Sequence, residues 1–275
     1  MSREANALPA PFGARSLSSG LLIVNADDWG RESQTTNAIL DCALRGAVSA
    51  VSAMVFMEDS DRAAAIARER GIEAGLHINF TTLFSAPGCS AELVKRQQEL
   101  ARYLRLRRFA QVVFHPGLIR SFEYVVAAQV DEFRRLYGAA PDRLDGHHHM
   151  HLCANVLIGG LLPPGTLVRR NFSFKPGEKS LWNRLYRRFI DSTLGRRHRL
   201  VDFFFSLAPL EPPSRVQRIF SLSRDFVVEV ETHPIQPEEY RFLVGGEIFR
   251  RAAEARIAPP SAILRRAGPG SGGNS

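Results

Sequence analysis

The sequence predicts a single α/β domain, of a length that would fit a (β/α) barrel, and three observations predict it. Apolar, strand-like runs at 50–57 and 73–80 alternate with charged, helix-like stretches such as 59–70, the order that builds a parallel sheet covered by helices. A chain of 275 residues, 45% hydrophobic, has the length and core for one such barrel, although length alone would also fit two small domains. Polar, chemistry-bearing motifs stand at the ends of strand-like runs, the edge where α/β folds gather ligands and catalytic groups.

In chain order, residues 1–18 hold Pro9, Pro11 and Gly13 but no apolar stretch of signal-peptide length. They are expected to be a flexible segment ahead of a domain spanning 19–262. Leu21-Leu22-Ile23-Val24 reads as a buried parallel strand that stops at the polar turn Asn25-Ala26-Asp27-Asp28-Trp29-Gly30. Neighbouring residues on a regular strand face opposite sides, so Asp27 and Asp28 share a pocket only if the chain turns there, for which Gly30 is suited. The alternative is Asp28 as the N-cap of the next helix. Gly75-Leu76-His77-Ile78 is a second strand with one histidine near its end, and such a histidine is ordinarily a satisfied core residue. Residues 89–121 carry many Arg, Lys and Gln and no strong strand, which suggests a helical insertion over the barrel mouth; His115-Pro116 within it reads as loop. Residues 122–137 form an amphipathic helix that ends at Gly138, ahead of Pro141.

Asp145-Gly146-His147-His148-His149-Met150-His151 packs four of the eight histidines into five positions. Imidazole is the commonest ligand for a transition metal, so the cluster points to a metal centre rather than to a surface tract or a loop in which one histidine matters. One ion cannot take all four. In an extended segment His147, His149 and His151 face one way and His148 the other, which makes His149 and His151 pocket residues that contact substrate or donate hydrogen bonds. Asp145 is placed either to fix an imidazole tautomer or to cap the loop. Leu167-Val168 is strand-like and runs into Arg169-Arg170, and Val227-Val228-Glu229-Val230-Glu231-Thr232 is a β run whose end is marked by Pro234, leaving His233 at the rim.

Residues 182–205 are basic, with Arg184, Arg187, Arg188, Arg196, Arg197 and Arg199 among Leu185, Tyr186, Phe189, Ile190 and Leu194, and they contribute to a formal net charge of +8. Such a stretch suits a solvated helix face, an anionic membrane or nucleic acid; no nucleic-acid motif accompanies it. Phe172 to Phe174 and Phe203-Phe204-Phe205 are read mainly as core, with stacking on a sugar or lipid as the alternative. The Gly- and Ser-rich end, 263–275, is expected to be disordered. Cys42, Cys89 and Cys153 are odd in number and far apart, which builds neither a disulfide framework nor a Cys-rich zinc site. With no apolar stretch of about 18 residues, the expected location is cytoplasmic, with peripheral membrane contact as an option.

Read together and in this order, NADDWG at 25–30, GLHINFT at 75–81, LDGHHHMH at 144–151 and THP at 232–234 resemble the YdjC-like carbohydrate deacetylase family. That family includes chitooligosaccharide deacetylases and a branch associated with hopanoid biosynthesis. The resemblance spans roughly 21–240 and implies a distorted (β/α) TIM-like barrel related to polysaccharide deacetylases. It also implies one divalent metal ion and hydrolysis of an N-acetyl group from an amino sugar, carried on an oligosaccharide or a glycolipid. Transferred by motif position, Asp28, His77 and His147 would hold the metal, Asp27 would be the base and His233 the acid. Arg169 or Arg170 would correspond to a substrate-facing arginine.

The chemistry agrees with that assignment. An acetamide is a poor electrophile and neutral water a poor nucleophile; a metal with open positions corrects both faults. The ligand types suit zinc, manganese, iron, cobalt or nickel. Magnesium is implied by the resemblance, although two imidazoles are unusual company for so hard an ion. Two other readings stand beside this one: a metal-dependent phosphoesterase or other amidase, which calls for two ions per chain, and a membrane-associated scaffold that binds metal without turnover. For a lipid-linked substrate, membrane contact is expected through 182–205, and an exposed aromatic cluster there could equally serve a homodimer.

Overall fold

A computed structural model of the protein describes residues 20–106, 109–175, 177–252 and 255–264. The segment 1–18 and most of 263–275 lie outside the described residues, while Ser261–Leu264 is helical, so the folded body runs past the boundary expected at 262.

Strands β1 (Leu21–Trp29), β2 (Ala50–Ala53), β3 (Ala74–Ile78), β4 (Arg143–Gly146), β5 (Leu167–Val168), β6 (Phe203–Ser206) and β7 (Val227–Thr232) pair in parallel, in the order β5-β4-β3-β2-β1-β7-β6. Between them run α1 (Ser33–Leu44), α2 (Ser60–Arg70), α3 (Ala91–Leu106), α4 (Ile119–Tyr137), α5 (Ala154–Gly159), α6 (Leu181–Gly195) and α7 (Pro213–Leu222). After β7 follow α8 (Pro237–Val244), α9 (Glu247–Arg251) and α10 (Ser261–Leu264). The sheet's two edges meet through irregular chain: Leu167 bridges to Arg199, and the Ser173 amide donates to the Phe204 carbonyl at 2.8 Å. The result is the α/β architecture that the alternation of runs predicted, in the form of the distorted (β/α) barrel that the resemblance implied.

Period-two alternation sorts each strand into an outer and an inner face. The outer residues, such as Leu22 and Val24 of β1, Leu76 and Ile78 of β3 and Val228 and Val230 of β7, join the main hydrophobic core beneath the helices. The inner face changes character along the barrel axis. At the N-terminal ends of the strands a second apolar cluster holds Leu21, Ile23, Ala50, Leu167, Phe204 and Val227. Two residues further along the same faces come Asn25 and Asp27, Ser52, Arg169, and Glu229 and Glu231, all buried. One end of the lumen is therefore greasy and the other charged, and the charged end is the C-terminal edge of the sheet.

Gly75 makes room for that charged layer. A Cβ there would stand 2.8 Å from Arg143 Nε and 2.9 Å from the Arg143 carbonyl oxygen. Gly75→Ala is expected to cost about 1–3 kcal/mol through overpacking of backbone that cannot yield, read as a lowered urea midpoint; an unchanged midpoint would refute the packing account.

The expected insertion is α3 with the turns that follow it. Gln97 of α3 donates to the Thr82 carbonyl at 2.8 Å, so α3 rests on the loop leaving β3 at the C-terminal edge. Helix α4 starts three residues earlier than expected and ends as expected at Gly138, which has φ 80°. His115 is loop: Asn155 brackets its amide and its carbonyl. The 182–205 stretch is not one surface. Phe203, Phe204 and Phe205 are buried in β6, because that strand is paired along its length to β7, and only α6 and the turn after it face outward.

Candidate active site

Strand β1 does not stop at Val24; it continues to Trp29. The turn that the adjacent carboxylates require is made by Asp28 itself, which has φ 68°, and the pairing with β2 slips between Ala26 and Trp29. A bulge of this kind re-aims side chains at a barrel rim. Asp28 is not a helix cap, since α1 is preceded by Glu32 in that position.

Asp28, His77 and His147 come together from β1, β3 and the turn after β4, each offering one donor atom within 4.8 Å of the others. Asp28 Oδ1 lies 2.9 Å from His147 Nδ1 and 3.4 Å from His77 Nε2. It is nevertheless a buried atom without a hydrogen bond of good geometry. Two imidazole nitrogens and a carboxylate oxygen that converge without bonding one another are a donor set suited to a shared cation. The surroundings agree, because the five carboxylates of Asp27, Asp28, Asp145, Glu229 and Glu231 face three guanidinium groups, Arg31, Arg143 and Arg169. The other nitrogen of His77 is 2.7 Å from Asp145 Oδ1, so Asp145 orients His77, not the histidine two residues after it.

Asp27 is clamped. Arg169 donates to both of its oxygens at 2.7 Å, and Asn25 Nδ2 donates to Oδ1 at 2.7 Å. Burial would raise the Asp27 carboxyl, but the Arg169 guanidinium, with His77, outweighs it and holds the group down at about 2. The same guanidinium donates to Glu229 at 2.8 Å and Glu231 at 3.2 Å and pairs with Asp145 at 2.8 Å. Of the doubled arginine, Arg169 is the buried clamp of the carboxylates, whereas Arg170 pairs with Asp191 at 2.8 Å and borders the cavity lined by His148 and His149. Burial and the neighbouring Asp27 push the Glu231 carboxyl well above the carboxylate range against the pull of Arg169. For His77, burial works against charge, but Asp145 and Asp27 raise its imidazole to about 10.

The histidine tract is not extended. Residues 147–152 form a 3-10 turn in which His148 and His149 have φ 54° and 57°, so the alternation that grouped His149 with His151 does not hold. His148 and His149 both border an open cavity of about 340 Å³, together with Val112, Phe172, Tyr186 and Arg187. His149 meets Phe172 edge-on at 4.7 Å and lies 3.6 Å from Glu231. His151 is buried beneath, 2.9 Å from the Arg169 carbonyl through Nε2, and it packs so close to Gly146 that a Cβ there would stand 2.9 Å from its amide. Of the two residues proposed for the pocket, His149 reaches it and His151 supports Arg169. Burial depresses both imidazoles, to about 3 and about 4 respectively, and leaves them neutral.

His233 follows directly on the last β1–β7 pair, Ala26 with Thr232, which sets it half-buried at the rim beside the strand of Asp27. Its amide is held by Glu239 at 2.9 Å. Sequence reasoning passed over Glu229, Glu231, Arg143, Asn25 and Ser52. The signal for the first two was present, since Glu229, Glu231 and His233 recur at spacing two in an apolar strand and so share one face.

The sequence profile of YdjC-like proteins matches residues 21–163. A chitooligosaccharide deacetylase of Serratia marcescens is 33% identical over 138 residues, 48% of this chain and 51% of that protein. A chitooligosaccharide deacetylase of Proteus mirabilis (strain HI4320) is 30% identical over 132 residues, 48% and 50% of the two chains. The chain thus spans about half the length of the curated relatives it matches. Among solved structures, a protein of Enterococcus faecalis V583 whose name proposes cellobiose-phosphate cleavage superposes with a TM-score of 0.62 at 18% identity, covering 90% of this chain and 99% of the other, which is a likeness of fold. With the matched segment carrying Asp27, Asp28, His77, Asp145 and the histidine tract, the chain belongs to the YdjC-like protein family.

Proposed function

We propose that the chain is a hydrolase that removes the N-acetyl group of an amino sugar with the help of one divalent metal ion. The observation that carries this reading is the convergence of Asp28, His77 and His147 beside Asp27, supported by relatives named chitooligosaccharide deacetylase. Asp28, His77 and His147 would hold the ion, and zinc or another transition metal suits the donors better than magnesium. Bound there, the ion would make water a better nucleophile and polarise the acetamide carbonyl. Asp27, kept ionised and aimed by Arg169, takes a proton from the attacking water; His233 gives a proton to the departing nitrogen. His149 and Phe172 line the space that receives the sugar. A second grouping of donors, Asp27, His77 and Asp145, shares His77 and is already bridged by Arg169. That speaks against the two-ion site of a phosphoesterase.

The test is acetate release by metal-reconstituted protein from a panel of N-acetylated sugars and glycolipids. Release is expected from at least one class. Binding of one ion per chain without release from any member would instead favour another amide substrate or a binding role.

The charge on His77 adds a pH test. A histidine whose pKa rises on folding contributes stability that is full below its ordinary value of 6.5 and is lost as pH climbs through about 10. The metal-free protein is expected to lose urea resistance across that interval. Added zinc is expected to reverse the trend, since a ligating imidazole must be neutral. A midpoint that stays level across the interval would sink the assignment of His77 as a charged, Asp145-bound group.

A further inference from the structure

We propose that the outward face of α6, with the 109–114 segment across the cavity mouth, docks on an anionic lipid bilayer. The surface stands apart from the deacetylase reading and does not depend on it. Helix α6 buries only Ile190 and Leu194, so the rest of a purely structural helix would be polar. Instead Leu181, Trp182, Leu185 and Phe189, at spacings of three and four, form an exposed apolar stripe, with Trp182 81% and Phe189 67% exposed. Across the cavity the 109–114 segment repeats the pattern, with Phe109 62% and Val113 52% exposed. Both elements line the same cavity, one through Val112 and the other through Tyr186, Arg187 and Ile190. The apolar surface is therefore a rim around the cavity mouth, not a scatter of single residues.

The charges select the occupant. Arg184 and Arg188 continue around the helix from the stripe, and residues 181–199 hold six arginines against one carboxylate, Asp191. That carboxylate is taken by Arg170 at 2.8 Å, so nothing acidic on α6 opposes an anionic surface. Trp, Phe and Leu on one face beside Arg on the next is the composition of a helix that lies in the plane of a membrane interface, with the indole at headgroup depth. A second copy of the chain fits less well, because a two-fold contact would bring the same arginine-bordered stripe against itself. Among the described residues no helix is long and apolar enough to cross a membrane, and the contact is peripheral. Docking in this orientation would turn the cavity mouth toward the lipid headgroups.

The chain supplies its own reporter. Of its two tryptophans, Trp29 is fully buried and Trp182 is exposed, so a change in emission on adding vesicles reports α6. With the full chain and phosphatidylcholine vesicles containing phosphatidylglycerol, the expected result is a blue shift of emission and co-flotation, both weakened by salt. Phosphatidylcholine alone should give much less. Arg184→Glu with Arg188→Glu is expected to weaken flotation at least roughly tenfold, and Phe189→Ser to abolish it with the melting temperature unchanged. An unshifted emission with anionic vesicles would overturn the proposal, as would variants that float like wild type. A concentration-dependent dimer in the absence of lipid that Phe189→Ser dissolves would overturn it in favour of a second copy.

Discussion

Arg169→Met is expected to be the most damaging single substitution for stability, costing about 3–5 kcal/mol or preventing folding outright. The guanidinium is 1% exposed and touches Asp27, Asp145, Glu229 and Glu231, so methionine keeps the stem but strands four buried carboxylates together. A loss of that size consumes much of the roughly 5–15 kcal/mol that a domain possesses. Arg169→Lys is expected to fall in between, because an ammonium keeps the charge but cannot serve both Asp27 oxygens while reaching Glu229. Arg170→Met is the comparison: it leaves one partly buried carboxylate, Asp191, without its guanidinium instead of four, which limits the loss to about 1–3 kcal/mol. Denaturant midpoints of the three variants decide the matter, and equal losses for Arg169→Met and Arg170→Met would discard the account of the lumen as a network centred on Arg169.

The largest expected effect on activity divides between Asp27→Asn and His147→Ala. The asparagine amide in the first variant is close in shape to the carboxylate but accepts no proton, so kcat is expected to fall by about 10²–10⁴ while metal content stays near wild type. His147→Ala removes a donor from the convergent set and is expected to lose metal and activity together. Metal analysis beside acetate release separates the two roles. Retention of the ion in His147→Ala, or its loss in Asp27→Asn, would exchange the assignments. Asp27 also shows why Arg169 matters to chemistry as well as to folding. An unpaired carboxylate at this depth would take up a proton; the clamp keeps it ionised at the expense of basicity.

The polar end of the lumen follows from where the alternation changes. In β1 the inner positions run Leu21, Ile23, Asn25, Asp27, and in β7 they run Val227, Glu229, Glu231. Each strand is apolar where it enters and charged where it leaves, so parallel pairing alone stacks all the charges at one edge. This is also why the candidate site is wide, with donors from β1, β3 and the turn after β4 and the clamp from the end of β5.

Much of this was legible in the order of residues. The strand-ending motifs placed Asp27, Asp28, His77 and His147 at one edge because parallel strands in an α/β fold share a direction, and α4 ended at Gly138 because its left-handed conformation suits glycine. Glu229 and Glu231 were within reach of the same period-two argument. Other features depend on contacts between residues far apart in the chain. The choice of Arg169 over Arg170 follows from which face of a two-residue strand meets β1 and β7 carboxylates, and the bulge at Asp28 follows from a slipped pairing with β2. The positive φ values of His148 and His149 remove the extended geometry on which their alternation was argued. The exposure of Trp182 and Phe189 likewise depends on how α6 sits on the barrel. The α/β class and the residues offered for chemistry follow from local periodicity and residue type, and so can be read along the chain. Which of those residues meet follows from the sheet's register and the curl that brings β5 toward β6, because these set the distances between groups that lie up to about 200 residues apart in the chain.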